Sequence, residues 1–556
     1  MGLILDGLIK IDRNARRLRE IVAVFAKYGL ADWLKGLHYE WLQDLFRSPD
    51  GQRLAECSTA ERIRLAITEL GPTFIKFGQV LSTRPDLVGA AIATELSRLQ
   101  SDAPPSKPEA VSHMIETELG RDLQQLFASF DAKPLASASI GQVHRARLFS
   151  GEDAVVKVQH EGIEAKVESD LELLRGLAEL AERHAPFLRP YRPLALTKQF
   201  RRVLLRELDF SVERRNLETF ARNFAGDETI HFPMVYPELC GRRVLTMERL
   251  EGVEFTDAAG LRASGADLGG VAARGAAMYL DMIFRDGFYH ADPHPGNLML
   301  LNKEVIGVID GGMVGRMDQG FREDIENMLL AAVERDGDEL TEVVVRVGKA
   351  PVDFRSDDLR GELGEFLEEF IGLPLEEFDI SETLSSLIEI VRSYHIVLPP
   401  SFSLLLKTLI MLEGTSRRLD RRFNLFELLR PYYSKALHRR LAPPRLLRRA
   451  QRSYRDWSRL ADSLPRDVTD IVGRLRRGSF DVHIEHRRLE VIVNRLVVGI
   501  LTAALFMGSA QMLGNRLPPT VYGISVFGLA GALAAVALGL HLLLVIHKSG
   551  DIRSKD

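Results

Sequence analysis

The chain has 556 residues, of which 46% are hydrophobic and 27% are charged. This balance is ordinary for globular proteins and excludes an intrinsically disordered chain, while the length predicts two to four structural units at roughly 150 residues each. The formal net charge of −4 favours no class of partner by itself, because the charges are unevenly distributed along the chain.

Residues 1–130 are predicted to be mostly helical, because apolar residues such as Leu65 and Leu70 recur at helical spacing. One of these predicted helices contains the segment Lys76–Gln79, with the sequence KFGQ. No general physical rule makes this segment catalytic, and its residues alone are those of a solvated helical turn.

A β-hairpin is predicted next, since the period of the apolar residues changes after Pro134. Val143–Leu148 alternates between apolar and polar residues, and Ser150–Asp153 has the composition of a turn. Ala154–Val158 forms the second strand, and a further strand is predicted over Arg243–Glu248.

The remaining central region is predicted to be mainly helical. One helical segment covers Leu196–Phe224, and helices continue after Asp257. The exceptions are a polar loop at His290–Asn297 and a short strand pair, Leu298–Leu301 and Val305–Ile309. Strands therefore cluster in the first part of this region and helices in the second, a two-lobed α+β pattern.

Two long apolar segments lie near the C-terminus. Leu496–Asn515 and Leu517–His547 contain no Asp, Glu, Lys or Arg, and each exceeds or matches the roughly 20 residues that a membrane-spanning helix needs. We predict a transmembrane helical hairpin with a tight turn at Asn515–Pro519 and, because basic residues flank the pair, with both ends cytoplasmic. A buried hairpin in a soluble core is the alternative. Small residues are expected to allow close packing of the two helices: Gly523, Gly528, Gly531, Ala535 and Gly539.

The strongest chemical signal is the octapeptide His290–Asn297, followed by Asp310 after the strand pair. Phosphoryl transfer needs one group that orients the nucleophile and oxygen ligands that hold Mg²⁺. Asp292 fits the first need, and Asn297 and Asp310 fit the second.

Two other interpretations of this octapeptide stay open on its residues alone. His290, Asp292 and His294 are candidate metal ligands, although Pro293 and Pro295 exclude the regular helix that would place them on one face. The octapeptide is also compatible with a plain polar loop capped by Asp and Asn.

Lys157 lies on the second strand of the predicted hairpin, between valines, and this strand is similar to the kinase strand whose lysine contacts nucleotide phosphates. A buried ammonium needs a partner, and the candidates lie within Glu207–Glu213. The segment that leads into the hairpin, Ala136–Val143, is rich in small residues that let backbone amides approach a phosphate. Alone, it is more often an ordinary turn.

Taken together, these motifs resemble the UbiB family of atypical kinase-like proteins, called ADCK proteins in animals. The matching features follow the family order from about residue 70 to 315: Lys76-x-Gly78-Gln79, Leu99-Gln100, Pro104-Pro105, the Ala136–Gln142 loop, Lys157, Glu207-x-Asp209, Glu213, Met247-Glu248, His290–Asn297 and Asp310-Gly311. The chain departs from the family where Gly311 replaces the usual Phe, which leaves an aromatic packing position empty. A second, mild departure lies at the start of the Ala136–Gln142 loop.

The resemblance implies an α+β, two-lobed protein-kinase-like fold with a helical N-terminal extension and a C-terminal transmembrane helical hairpin. The expected boundaries are an extension carrying the KxGQ motif at 1–130, an N-lobe at 131–255, a helical C-lobe at 256–440, a basic linker at 441–494 and two membrane helices at 495–547.

The resemblance also implies roles for individual residues. Lys157 and Glu213 would form an ion pair, Asp292 would be the catalytic-loop aspartate, and Asn297 and Asp310 would hold Mg²⁺. The residues implied to bind ATP are Ala136, Ser137, Ala138, Ser139, Ile140, Gly141, Val143, Lys157, Met247 and Glu248. The helix that carries Lys76 would fold over the active site, and the residues implied to regulate it are Lys76, Gly78, Gln79, Glu207 and Asp209.

The function that follows is Mg²⁺-dependent ATP binding and hydrolysis in support of ubiquinone biosynthesis or lipid handling, with a non-catalytic nucleotide-binding scaffold as the alternative. Protein phosphorylation is disfavoured, because Ala291 stands where kinases carry Arg and a new helix from about Asp318 leaves no room for a long activation loop.

The expected partners are membrane lipids and proteins or precursors of quinone biosynthesis, and no nucleic acid. The segment Arg430–Arg459 contains ten Lys or Arg and a single acidic residue, Asp456, which favours anionic lipid. The expected location is the bacterial cytoplasmic membrane, as a multi-pass protein with its kinase-like domain in the cytoplasm.

Overall fold

A computed structural model describes residues 57–99, 103–184, 192–351, 354–371, 379–441, 489–515, 517–521 and 524–548, together with most of 17–30. The chain divides into two compact units, Met1–Arg445 and Leu446–Asp556. The predicted basic linker 441–494 lies outside the described residues except at its two ends.

The described N-terminal region is helical, as the spacing of its apolar residues predicts. A capping box begins the first helix: the Ser58 hydroxyl accepts a hydrogen bond from the Glu61 amide, and the Glu61 carboxylate accepts one from the Ser58 amide. The helices of this region are α1 Thr59–Leu70, α2 Pro72–Ser82, α3 Pro85–Val88, α4 Ala90–Leu96, α5 Pro108–Leu119 and α6 Leu123–Leu126.

A five-stranded antiparallel sheet forms the small lobe. Its strands are β1 Ser129–Phe130, β2 Ala136–Ser137, β3 Gly141–Arg147, β4 Asp153–Gln159 and β6 Val244–Glu248, in the order β1-β3-β4-β6 with β2 on β3. One face of β4 carries Val156 and Val158, which pack against Val111 and Ile115 of α5. Because side chains alternate along a strand, the opposite face of β4 presents Lys157 towards Glu213 and Asp310, and the space around these three side chains is the cleft.

Three helices follow the hairpin: α7 Ile163–His184, α8 Pro193–Glu207 and α9 Phe210–Asn223. The prediction of one helical segment over Leu196–Phe224 was wrong at one point, since the helix ends at Glu207 and restarts at Phe210. Asp209 has extended backbone and accepts a hydrogen bond from the Ser211 amide at 3.1 Å, so it caps α9 and breaks the helix.

The large lobe combines helices with short strands. Its first helices are α10 Ala258–Ala263 and α11 Leu268–Leu280, continued by a π-helical turn at Asp281–Asp286. The strands β5 Ile230–His231, β7 Val253–Glu254, β9 Leu298–Leu301 and β10 Val305–Val308 form one sheet, and β8 Phe288–His290 pairs with β11 Val314–Arg316. The predicted pair β9–β10 is present, whereas β5, β7, β8 and β11 were not predicted.

Six helices complete the first unit: α12 Gln319–Glu334, α13 Gly337–Val347, α14 Ser356–Ile371, α15 Ile380–Ser393, α16 Pro400–Leu419 and α17 Leu425–Leu441. Asp318 caps α12 through the Phe321 amide, at the position where the sequence predicts a new helix. The buried side chains of Leu340, Leu363, Leu387 and Leu406 join α13–α16 in a core of their own, whereas Leu425 and Leu429 of α17 belong to the main core.

The second unit contains two long apolar helices, α18 Leu489–Gly514 and α19 Val526–Lys548. By length and composition, Leu496–Gly514 and Val526–Leu543 can each cross a membrane. Among the described residues, most of their apolar side chains are exposed, as in Leu501 and Leu533.

The connection between these helices differs from the tight turn that the sequence predicts. The turn was expected to end at Pro519, but the second helix begins only at Val526, and the strands β12 Thr520–Val521 and β13 Ile524–Ser525 lie between them. Pro518 and Pro519 lack amide hydrogens and disfavour a helix there.

Small residues line the contact between the two apolar helices, in agreement with the sequence pattern. Gly528 lies against Leu513 and the Ser509 carbonyl of α18, and Ala535 is buried. Gly523 lies outside the described residues.

Candidate active site

Lys157 and Glu213 form an ion pair at the centre of the cleft. The Lys157 Nζ lies 2.9 and 2.7 Å from the two carboxylate oxygens of Glu213, and 5.2 Å from the centre of the Phe210 ring. Lys157 is paired in the sheet with Val143 and Leu245, and these neighbours hold its backbone. The sequence placed the partner of Lys157 within Glu207–Glu213, and the structure brings Glu213 to it.

Asp310 adds a third charge to this cluster, with its Oδ1 3.7 Å from the Lys157 Nζ. Burial by itself raises the pKa of Asp310, but the Lys157 ammonium and the neighbouring His290 outweigh it and hold the pKa at about 2. Burial raises the pKa of Glu213 to about 7 against the opposing effect of Lys157, and Asp310 adds to the rise. The pKa of Asp310 is thus lowered and that of Glu213 is raised, so the Asp310 carboxylate is ionised at neutral pH.

The predicted catalytic loop is held in a defined shape by backbone and side-chain hydrogen bonds. The Ala291 amide donates to the Met313 carbonyl at 2.9 Å, which continues the pairing of β8 with β11. The Asn297 Nδ2 donates to the Asp292 carbonyl at 3.1 Å and to its Oδ2 at 3.2 Å. The Ile309 amide donates to the Asn297 carbonyl at 3.0 Å, which places Asp310 beside the loop.

The donor atoms of Asn297 and Asp310 are of the kind that binds Mg²⁺. Because the Asn297 amide nitrogen is directed to Asp292, the Asn297 Oδ1 is left as its remaining polar atom. This oxygen and the negative carboxylate of Asp310 are the ligand types that Mg²⁺ prefers, with phosphate oxygens and water completing its shell.

The histidines of the loop are engaged within the protein. The His290 Nδ1 accepts from the Asp292 amide and lies 3.3 Å from the Tyr279 hydroxyl, and the His294 Nδ1 accepts from the Gly296 amide at 3.1 Å. Across the described ranges, no three His, Cys, Asp or Glu side chains are grouped to hold a metal. The Nδ1 atoms of both histidines therefore have a local structural explanation, whereas the buried His290 Nε2 has no hydrogen-bond partner among the described residues.

The position after Asp310 is occupied by a neighbouring side chain, contrary to the expectation that it is empty. A Cβ atom on Gly311 would lie 2.8 Å from the Leu217 Cγ, and Leu217 is fully buried. The Asn216 Nδ2 also donates to the Gly311 carbonyl at 2.9 Å. Leu217 of α9 thus fills the space that an aromatic would take, and the close approach explains the glycine.

The small-residue loop is a tight hairpin between β2 and β3, closed by a hydrogen bond from the Ala138 amide to the Gly141 carbonyl at 2.8 Å. His160, which sequence reasoning missed, contacts the Ala138 carbonyl through Nε2 at 2.8 Å and the Ser106 hydroxyl through Nδ1 at 2.7 Å. The loop is therefore tied to the end of β4 and to the segment before α5.

The adenine end of the predicted site lies along β6. Met247 is buried and is paired with Val155 of β4, while the Glu248 carboxylate accepts from the Met234 amide at 3.0 Å and contacts His231. Val155 lies on the same face of β4 as Lys157, but the sequence analysis did not include it in the site. The available signal was its position two residues before the lysine, since such residues share one face of a strand.

Of the three motif residues of the KxGQ segment, Lys76, Gly78 and Gln79, one lies at the cleft. Lys76 of α2 forms an ion pair with Glu207 at the end of α8. Gly78 lies against the Leu99 side chain with no room for a Cβ atom, and the Gln79 Nε2 donates to the Leu99 carbonyl at 3.1 Å. Gly78 and Gln79 therefore hold α2 against the segment around Leu99, and Asp209 caps α9. The regulatory role predicted for these residues stays a prediction.

Lys407 is a further charged residue near the loop that the sequence did not reveal. It lies on α16, and its Nζ is 3.3 Å from the Ser82 hydroxyl at the end of α2. The next residue, Thr408, donates from its hydroxyl to the Ala291 carbonyl at 3.2 Å. The available signal was a single lysine within the apolar run Leu404–Met411.

Three family models match the chain. The ABC1 atypical kinase-like domain matches residues 98–344, the UbiB helical domain matches residues 363–424, and the ABC1/UbiB kinase-like C-terminal domain matches residues 482–548. The first contains the cleft residues from the small-residue loop to Asp310, and the second contains Lys407.

Curated relatives match over most of their length. "Probable protein kinase UbiB" of Azotobacter vinelandii is 33% identical over 523 residues, which are 91% of this chain and 94% of the relative. The protein of the same name from Aeromonas hydrophila is 34% identical over 473 residues, 84% of this chain and 86% of the relative. A solved structure, the complex of Rv3197 with erythromycin from Mycobacterium tuberculosis, is 25% identical with a TM-score of 0.45, covering 62% of this chain and 87% of that one.

Proposed function

Because this chain belongs to the UbiB family of atypical kinase-like proteins, we propose that it is a membrane-anchored ATPase that binds ATP with Mg²⁺ and hydrolyses it. The observation that carries the proposal is the convergence of Lys157, Glu213 and Asp310 from three separate elements on one cleft. A chain that only needed a stable fold would have no reason to bury these charges together, since burying charge is costly.

Each charged residue has a defined task in this proposal. Lys157, held by Glu213, binds the inner phosphates, and the Asp292 carboxylate orients the attacking water. Asn297 and Asp310 hold Mg²⁺, which when bound neutralises the charge on the phosphates. The low pKa of Asp310 keeps this ligand ionised at neutral pH.

Hydrolysis, or transfer to a small molecule, is favoured over transfer to a protein. Ala291 carries no side chain that could pair with a phosphorylated activation loop. Helix α12 begins at Gln319, shortly after Asp310, so the intervening chain forms β11 and the cap of α12 instead of a peptide-docking loop. The relatives are named protein kinases, and this proposal departs from that part of their name.

The two apolar helices support a membrane location. We propose that α18 and α19 anchor the chain in the bacterial cytoplasmic membrane as a hairpin, with the kinase-like unit in the cytoplasm. The name UbiB of the relatives links them to ubiquinone biosynthesis, and we extend that link to this chain. Anionic lipids and quinone precursors are the partners that fit such a location.

The second candidate is a non-catalytic nucleotide-binding scaffold for a lipid-modifying complex. The contact between Lys76 and Glu207 favours it, because it draws α2 from outside the kinase-like domain to the cleft. If α2 keeps the cleft closed over a bound nucleotide, the protein would hold the nucleotide without hydrolysing it.

Hydrolysis of ATP by the full-length protein in anionic liposomes separates these candidates. The wild type is compared with Asp310→Asn and with Asp338→Asn, a control whose carboxylate is exposed. Mg²⁺-dependent turnover in the wild type and the control, but not in Asp310→Asn, supports the ATPase. Nucleotide binding without turnover in any variant would establish the scaffold, and equal turnover in neutral liposomes would remove the role of anionic lipid.

A further inference from the structure

Lys407 is placed beside the catalytic loop by contacts of its own helix. Thr408 and Thr415 of α16 donate to the carbonyls of Ala291 and Pro293, the residues on either side of Asp292. Because Lys407 directly precedes Thr408, the backbone of α16 carries it to the same part of the cleft. The contact of its Nζ with Ser82 sets the direction of the side chain, towards the end of the helix that bears Lys76.

The Lys407 ammonium feels the charge of Asp292 but is not directly paired with it. Within the part of the chain that the structure describes, no Asp or Glu oxygen forms an ion pair with its Nζ, and its hydrogen-bond partner is the neutral Ser82 hydroxyl. Burial lowers the pKa of Lys407, the nearby positive charge of Lys76 lowers it further, and Asp292 opposes both. The other two cleft lysines differ, since Lys157 is paired with Glu213 and Lys76 with Glu207.

A partly buried ammonium without a carboxylate is stabilised by an anionic ligand. The catalytic loop His290–Asn297 contains no Lys or Arg of its own that could bind such a ligand. The cleft therefore has a loop without Lys or Arg on one side, and Lys407, which forms no ion pair with a described carboxylate, reaches it from α16.

We infer that Lys407 is a phosphate-binding residue that contacts the terminal phosphate of the bound nucleotide. This inference rests on the proposed ATP site: Lys157 lies at the inner phosphates, so a phosphate presented to Asp292 lies on the side of the cleft where α16 approaches. Lys407 neutralises the charge that this phosphate carries and that grows as the bond to it breaks. The residue belongs to the helical domain that follows the kinase-like domain, so the two domains share one site.

The test compares the affinities for ATP and ADP, each with Mg²⁺, of the full-length protein in detergent. The variants are Lys407→Met, Lys407→Arg and the control Lys198→Met, which removes an exposed lysine from helix α8. A lost charge-assisted contact predicts that Lys407→Met binds ATP about 10- to 100-fold more weakly and ADP within about twofold of the wild type. Lys407→Arg keeps most of the ATP affinity, and the control changes neither.

The ratio of the two affinities is measured on one preparation, so a fraction of unfolded protein cancels from it. An unchanged ratio in Lys407→Met, with both affinities normal or both reduced alike, would overturn the inference and leave the ATP site standing. A wild type that binds neither nucleotide would overturn the proposed function and this inference with it.

Discussion

Two lysine–carboxylate pairs meet at the cleft, and they differ in origin and exposure. Lys157 and Glu213 both belong to the matched kinase-like domain, and their side chains are 25% and 6% exposed. Lys76 lies before that domain, and its side chain and that of Glu207 are 21% and 27% exposed. The first pair lies within the proposed nucleotide site, whereas the second joins the helix α2 to the end of α8.

A third pair explains how α2 is held at its other end. Arg84 forms two hydrogen bonds with Asp86, at 2.9 and 2.7 Å, and both side chains are almost fully buried. Asp86 also accepts from the Leu398 amide and the Ser403 hydroxyl at the start of α16. The N-terminal extension is thus locked to the helical domain by a buried pair and to the cleft by a more open one.

The largest effect is expected from Asp310→Asn, which removes the negative metal ligand while keeping its shape. We expect ATP hydrolysis to fall about a thousandfold, because charge stabilisation at the phosphates is lost. Steady-state phosphate release checks this. Asp338→Asn should retain full activity, and a comparable loss there would mean that the effect is not local.

The buried pair of the extension is tested by Asp86→Asn. Breaking such a pair leaves Arg84 buried without its partner and should lower the free energy of unfolding by about 3 kcal/mol or more. Denaturant unfolding followed by circular dichroism gives the value. The exposed Asp357, changed to Asn, should shift it by less than about 0.5 kcal/mol, and equal shifts would show that the extension is not locked here.

Glu213→Gln tests the ion pair between Lys157 and Glu213. Lys157 loses its charged partner, so the affinity for Mg²⁺ and ATP should weaken about 10- to 100-fold. Calorimetric titration measures it. Glu218→Gln on the same helix α9 is the matched control, since Glu218 pairs with Arg214 on a more open face and should change nothing.

The smallest change in stability is expected from Glu207→Gln. Because the Lys76–Glu207 pair is partly exposed, its loss should lower the free energy of unfolding by less than about 1 kcal/mol. The rate of nucleotide association should nevertheless rise, since α2 covers the cleft less firmly. Stopped-flow binding of a fluorescent ATP analogue measures this rate, with Glu342→Gln as an exposed control; an unchanged rate would show that α2 is no cover.

Local sequence patterns predicted the parts of the site that local rules determine. The hairpin β3–β4, the pair β9–β10 and the start of α12 at Asp318 follow from alternation and capping. The resemblance to a known family then placed Lys157, Glu213 and Asp310 in one cleft.

The missed features depend on contacts between distant segments. Lys407 meets Ser82, and Asp86 meets Leu398 and Ser403, across several hundred residues, so no local period reveals them. Leu217 fills the space beside Gly311 for the same reason. Asp209, a residue type that caps helices, was a local signal for the break. The helical spacing of the apolar residues on both sides nevertheless favoured one continuous helix.

The central claim is a Mg²⁺-dependent nucleotide site, and it is tested most directly by titrating ATP into the full-length protein with and without Mg²⁺, for the wild type and Asp310→Asn. The wild type should bind ATP at least about tenfold more tightly with Mg²⁺, and this dependence should vanish in Asp310→Asn. Equal affinity with and without the metal in the wild type, or no binding at all, would contradict the account.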